Sequence, residues 1–214
     1  MGKSKKRSSG KAMSASKAKM QNNKAASSAK TGIPAKRLIA YAIDWAFSGV
    51  LIGFPEVLVF ALVTHSSDMF SDLYVFGSMG YSNIYAFMCC VASLAVFAAY
   101  YIWVPLKVWP GQTPGKRLLK LRCESRDGGD LQPWQYALRA GVGLLVIEGV
   151  STVATRYVLQ ALTLATSFYV EGTVLPVLYL LTLVSGIMVV ATKRHLAIHD
   201  YLAGTRVVEI HDVA

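Results

Sequence analysis

The chain has 214 residues, of which 54% are hydrophobic and only 16% charged, with a formal net charge of +10. That balance argues against a single water-soluble core and for long apolar blocks. The charge is localised: residues 1–37 hold eleven Lys and Arg and no acid, while the other 177 hold eleven bases against twelve acids.

The segment 1–33 is rich in Ser, Ala, Lys, Gly and Asn and lacks aromatic residues, so it reads as a disordered basic tail. Nothing before Ile33 offers the apolar stretch of a secretory signal, and the tail is expected to stay uncleaved. A basic arm abutting an apolar span meets anionic lipid headgroups at the cytoplasmic surface more simply than it meets nucleic acid.

The first predicted span covers residues 38–63, long enough to tilt or to kink at Pro55. Arg37 marks its water boundary. Asp44 lies seven residues, or roughly 10 Å, further in and returns to nearly the same helix face. A carboxylate at such depth costs about 2.5–3.5 kcal/mol against lipid and should therefore face protein or a wet cavity. Glu56, roughly 27 Å along the axis, is expected near the far interface in reach of water.

Residues 64–82 are polar, carry Asp68 and Asp72, and lack Lys and Arg, which reads as an external loop. The second span is predicted over 83–106, with Tyr100, Tyr101, Trp103 and Trp109 as an aromatic belt at its end. The insert 107–139 has seven bases and three acids and is expected on the cytoplasmic side. Within it, Thr113 reads as the N-cap and Pro114 as the first residue of a short surface helix that includes Gly115 and Lys116. The Gly-to-Gly-Lys spacing is one residue short of a phosphate loop. Asp127-Gly128-Gly129 turns, and Gln132-Pro133 starts the helix leading to Arg139.

The third span is predicted over 140–160, with Glu148 at roughly 12 Å, a depth close to that of Asp44. Two carboxylates at matching depth could share a proton or a cation. Arg156 is expected to snorkel outward or to pair with an acid. The fourth span is predicted over 174–191, followed at once by Lys193 and Arg194. Four helices with both termini cytoplasmic satisfy every charge asymmetry, giving an all-α polytopic cell-membrane protein. In the last block, His195 and His199 have a helical i, i+4 spacing beside Asp200, without the third ligand that zinc requires. The functional alternative there is a His-Asp mouth for proton exchange, set against a helix end pinned to its neighbours. Residues 205–209 alternate like a strand and are expected to pair with 120–124 in a small sheet.

Three blocks in order then resemble the RDD family of membrane proteins. They are Arg37-Leu-Ile-Ala-Tyr-Ala-Ile-Asp44, Gly111-Gln-Thr-Pro-Gly-Lys-Arg-Leu-Leu with Asp127-Gly128, and His199-Asp200-Tyr-Leu-Ala-Gly-Thr205. The family's arginine and two aspartates fall on Arg37, Asp44 and Asp200, within a membrane domain of residues 34–208 that leaves 209–214 as a C-terminal end. The resemblance implies a transport-related role, with monovalent cation/proton antiport described for some members. Such a role would put a cation/proton site at Asp44 with Arg37 beside it, Glu148 supplying the second carboxylate by its matching depth, and a cytoplasmic motif at His199, Asp200, Thr113, Pro114, Gly115 and Lys116. Arg37 can reach either Asp44 or Asp200.

The competing reading is a non-transporting scaffold that binds a partner or anionic lipid through the tail and insert. No nucleophile stands at suggestive spacing to a base, so no enzyme, cofactor or metal centre is expected. Cys89, Cys90 and Cys123 fall in membrane or cytoplasm, where disulfides are not expected. Four spans are few to enclose a path, which makes a homo-oligomer economical.

Overall fold

The computed structural model describes residues 4–66, 68 and 72–210, with side chains from Ile33 onward except that of Ser151. The expectations for the basic tail and for residues 211–214 lie outside the described side chains. The first helix, α1, runs Ser4–Thr64, and its stretch Ile33–Thr64 is long and apolar enough to cross a membrane. A short α2 (Tyr74–Ser78) follows. Next comes α3 (Ile84–Ala98), which continues as wide π-helical turns over Ala99–Val108, so that Ile84–Val108 forms a second membrane-length helix. The third such helix is α7 (Val170–Ala191). It begins four residues before the predicted span, which places Pro176 in its second turn.

The expected third span over 140–160 is not one helix. Helix α5 (Pro133–Ala137) continues as π-helical turns over Leu138–Ile147, and regular winding stops at Glu148. One 3₁₀ turn at Gly149–Ser151 and extended Thr152 intervene before α6 (Val153–Thr166). Two contacts make the interruption tolerable. The Thr152 hydroxyl caps α6 by accepting the Ala154 amide at 3.2 Å, and the Thr155 hydroxyl donates across the break to the Leu145 carbonyl at 2.8 Å. Backbone groups released in an apolar domain are thus satisfied by side chains. Helix α6 extends past the predicted end and stops at Ser167, in the left-handed region at φ 58°.

Helices α1, α3, α6 and α7 pack together, and their outward faces are unusually apolar. Phe47, Val50, Phe54, Leu180 and Leu183 are each more than half exposed. Such a continuous exposed apolar surface suits lipid and not water. At one end of the bundle, here the loop face, Phe60, Leu73, Phe76, Ala86, Cys89 and Tyr157 form a closed apolar core.

The opposite end, the insert face, carries a small domain of its own. The insert contributes α4 (Pro114–Leu118) and β1 (Leu121–Ser125). The C-terminal block contributes α8 (Ile198–Ala203) and β2 (Thr205–Glu209). The strands pair antiparallel with Cys123 opposite Val207, as their alternating pattern predicts, and they bury Leu121, Cys123, Leu131, Tyr136 and Val207 against Ala40 of α1. Thr113 and Pro114 start α4 as expected, and Gln132 starts α5.

Of the expected aromatic belt, Trp103 points outward and is half-exposed, whereas Tyr100 and Tyr101 turn inward and stack edge to face at 4.8 Å. Helix α8 seats directly on the wide turns of Leu138–Ile147, and a Cβ added to Gly143 would collide with His199 Cβ. Gly143→Ala is accordingly expected to destabilise the fold by about 1–3 kcal/mol through overpacking. A thermal melt of the purified protein in detergent should show a clear drop; an unchanged midpoint would refute this seating.

Candidate functional site

The charged residues of the bundle gather where α1, the Leu138–Ile147 turns, α7 and α8 meet at the insert face. Asp200 is fully buried and accepts from two guanidiniums. Arg37 Nη2 donates to Oδ2 at 2.5 Å, and Arg139 Nη1 donates to Oδ1. Arg37 therefore bridges to Asp200, not to Asp44, and it also donates to the His195 carbonyl. The Thr205 hydroxyl accepts from Arg139 at 2.8 Å, and Asp200 Oδ2 accepts the Ala197 amide at 3.0 Å. Burial alone would raise the Asp200 pKa; Arg139 and Arg37 outweigh it and hold the carboxyl well below the usual carboxylate range.

Asp44 is also buried, and it is saturated by donors from elements far along the chain. Its Oδ1 accepts the Tyr100 hydroxyl and the Gly115 amide, each at 2.8 Å. Its Oδ2 accepts the Thr113 hydroxyl, with Lys116 Nζ at 3.9 Å. The N-cap residue Thr113 thus turns its side chain to Asp44, which itself caps the first turn of α4. The approach needs glycine at 115, because a Cβ there would run into the Ala40 carbonyl and the Asp44 carboxylate. Burial, opposed by Asp44, lowers the pKa of Lys116. The element expected to lie on the membrane surface is instead locked to α1.

Glu148 sits at the break in the third segment and turns toward α8. It accepts the Ser185 hydroxyl at 2.6 Å, the His199 amide at 3.2 Å and His199 Nδ1 at 2.8 Å. On the other side of the ring, Arg139 Nη2 lies 2.9 Å from His199 Nε2. A guanidinium only donates, so Nε2 accepts and Nδ1 carries the proton toward Glu148. Burial, reinforced by Arg139, lowers the His199 pKa and keeps the ring neutral. Three orphan amides at the start of α8 are then satisfied by side chains: Ala197 by Asp200, Ile198 by Ser185 at 2.9 Å, and His199 by Glu148.

A cavity of about 150 Å³ opens among these groups, lined by Arg37, Asp44, Lys116, Arg139, Glu148 and His199 together with apolar residues of α1 and α7. Asp44 and Glu148, matched in depth by sequence, thus face one cavity. Three bases, Arg37, Lys116 and Arg139, stand against three acids, Asp44, Glu148 and Asp200, so with neutral His199 the cluster is charge-balanced. His195 stays apart, with Nδ1 at 2.8 Å from the Val189 carbonyl. Arg156 pairs with Glu171 at 3.3 Å toward the loop face, one of its two expected fates.

Sequence reasoning missed Arg139, Tyr100 and Ser185 as members of the cluster. A guanidinium two residues into an apolar run was a usable signal for Arg139. A tyrosine and a serine in apolar helices carry none until their facing is known.

The fold and the site together define a multi-pass membrane protein with a buried, charge-balanced cluster under one face. The model of the RDD family matches residues 31–204, and the chain belongs to that family. No curated protein and no solved structure matches the chain.

Removing one partner from a buried ion network leaves uncompensated charge, which costs about 3–5 kcal/mol. Asp200→Asn, which strands two guanidiniums, is expected to lose most of the folded protein in detergent, read by size-exclusion recovery and melting. A variant as stable as wild type would contradict the lock. Below neutrality the pH dependence follows from the depressed pKa values of His199 and Asp200. His199 contributes stability that is complete above its unfolded value of about 6.5 and declines as pH falls below it; Asp200 adds a further loss only below about 3.9. Melting points should fall from neutral toward pH 5, and His199→Asn should flatten that decline.

Proposed function

We propose that this chain is a membrane transporter that exchanges a proton for a monovalent cation, with Glu148 and not Asp44 as the exchanging carboxyl. The observation that carries the reading is the position of Glu148: a buried carboxylate at a helix interruption, opening on a cavity where charged and apolar side chains meet inside the bundle. Broken helices in membranes are tolerated where they line a cavity, and ion sites of secondary transporters are built there. Intramembrane carboxylates are expensive unless they serve such a role.

The hydrogen bonds assign the parts. Arg139 occupies His199 Nε2, so an arriving proton has Glu148 as its acceptor, and His199 serves as a fixed donor that holds the carboxylate ionised until then. A monovalent cation competes for the same oxygens, with the Ser185 hydroxyl beside them. Asp44 and Asp200, already saturated by donors, act as locks that fasten the insert and the C-terminal block to the helices. In this reading the interrupted segment completes a fourth crossing. Both termini lie on the cytoplasmic side of the cell membrane, the basic tail meets anionic lipid, and a homo-oligomer completes the path.

A scaffold function has one observation in its favour: Leu118 and Trp134 stand well exposed on the insert domain, where a partner could grip. The two readings separate in everted vesicles with a pH-sensitive dye. Pulses of Na⁺, Li⁺ or K⁺ are expected to release protons, and Glu148→Gln is expected to slow the initial rate at least about tenfold, or about 1.4 kcal/mol. Vesicles that release no more than empty controls would remove the transport reading, and capture of a partner by the insert without flux would install the scaffold.

A further inference from the structure

Glu56 lies at the other end of α1 and takes no part in the cluster. By position it was expected to reach water near the far interface; instead it is completely buried. Neither of its carboxylate oxygens has a hydrogen-bond partner among the described residues, and the same is true of Nε2 of Gln160, also completely buried.

The helix register places these two residues at the same level of the bundle. A Cβ at Gly49 would lie 3.9 Å from Val153, and one at Gly53 would lie 3.6 Å from the Tyr157 hydroxyl. Helices α1 and α6 therefore run parallel, four residues against four. One further turn reaches the level of Glu56 on α1 and of Gln160 on α6. The Gln160 amide is oriented by its other end, since Oε1 accepts the Leu73 amide at 3.1 Å, which leaves Nε2 as the open donor.

Around them stand Phe60, Phe76 and Cys89 of the loop-face core. Among the described residues, the titratable groups that act on Glu56 are Asp72 on the loop, which also turns its backbone amide toward the carboxyl, and Cys89 on α3, with no base among them. An ionised carboxylate with one backbone amide nearby at most and no counter-charge is strongly disfavoured in such surroundings, whereas a carboxylic acid is not.

We propose that Glu56 is a proton-binding site, set between α1, α3 and α6 beneath the loop face, with Gln160 Nε2 as the donor that receives the carboxylate when the proton leaves. On release the acid O–H bond breaks, the electron pair stays on the carboxyl oxygen, and the proton passes to water at the loop face beside Asp72. The carboxylate left behind then accepts the Gln160 N–H. As the loop-face station of an exchange cycle, Glu56 rests on the transport reading above; as a proton site it does not.

The test is infrared spectroscopy on the full-length protein in lipid, with Glu56→Gln as the isosteric comparison. At neutral pH the wild type should show a carboxylic-acid C=O band that the variant lacks and that disappears only in alkali. In parallel, a hydrophobic carbodiimide, which modifies protonated carboxyls, should label Glu56 of the wild type at neutral pH and at least about tenfold less in alkali, read by mass spectrometry. An identical acid band in both proteins, or absence of the label from Glu56 at neutral pH, overturns the proposal. Vesicle flux keeps the two readings apart. A wild type without exchange removes the transport reading and leaves the proton site standing. Exchange by Glu56→Gln as fast as wild type removes Glu56 from the cycle.

Discussion

The carboxylate of Asp200, held between Arg37 and Arg139, is the constraint to which the rest of this domain is fitted. Each of the three charges would be costly alone at this depth, and together they leave only one excess positive charge for Glu148 to meet. That requirement fixes which helices adjoin. Arg37 belongs to α1, Arg139 to the wide turns of the third segment and Asp200 to α8. A buried ion network of this kind adds little net stability over an apolar packing. It specifies a unique arrangement, because every alternative strands a charge.

The same logic runs through Asp44, with neutral donors in place of guanidiniums. Tyr100 comes from the second membrane-length helix, Thr113 and Gly115 from the insert, and all converge on one carboxylate. The insert is thereby anchored by hydrogen bonds and not by apolar burial alone. Glu148 differs from both aspartates in its setting. It occupies the interruption between two helical segments, and one of its donors is a ring with a proton of its own to hold.

Much of this fold is legible in the sequence because long apolar runs leave few alternatives. The spans of α1 and α3 follow from hydropathy, the Thr113-Pro114 start of α4 from capping chemistry, and the β1–β2 pairing from alternation. Arg37 and Asp200 could be named from motif blocks, yet only the folded chain shows that the arginine reaches forward to Asp200 past Asp44, one face of the same helix. Depth along a helix is readable from spacing, but facing is not. Tyr100 and Trp103 stand three residues apart, and one donates to a buried carboxylate while the other points outward. The interruption at Glu148 was hidden for a related reason: Gly149 and Thr152 are unremarkable in an apolar run unless the neighbouring Thr155 and α8 are known to receive the freed groups. Glu56 was misplaced because axial distance ignores the loop folding back over the end of the bundle.

The spacing of the lock residues along the chain bears on how the protein is made. Asp44 finds its insert donors 69 and 71 residues later, and Arg37 meets Asp200 only across 163 residues. Synthesis proceeds from the N-terminus, so the first helix enters the bilayer with its arginine and aspartate unmatched, and the second carboxylate follows long after it. Until then the nascent chain holds polar groups that only water, lipid headgroups or an insertion factor can satisfy. The block that carries Asp200 is therefore the piece that closes the ion network. A ribosome that stops before it leaves three membrane-length helices in place and Arg37 still waiting for its counter-ion.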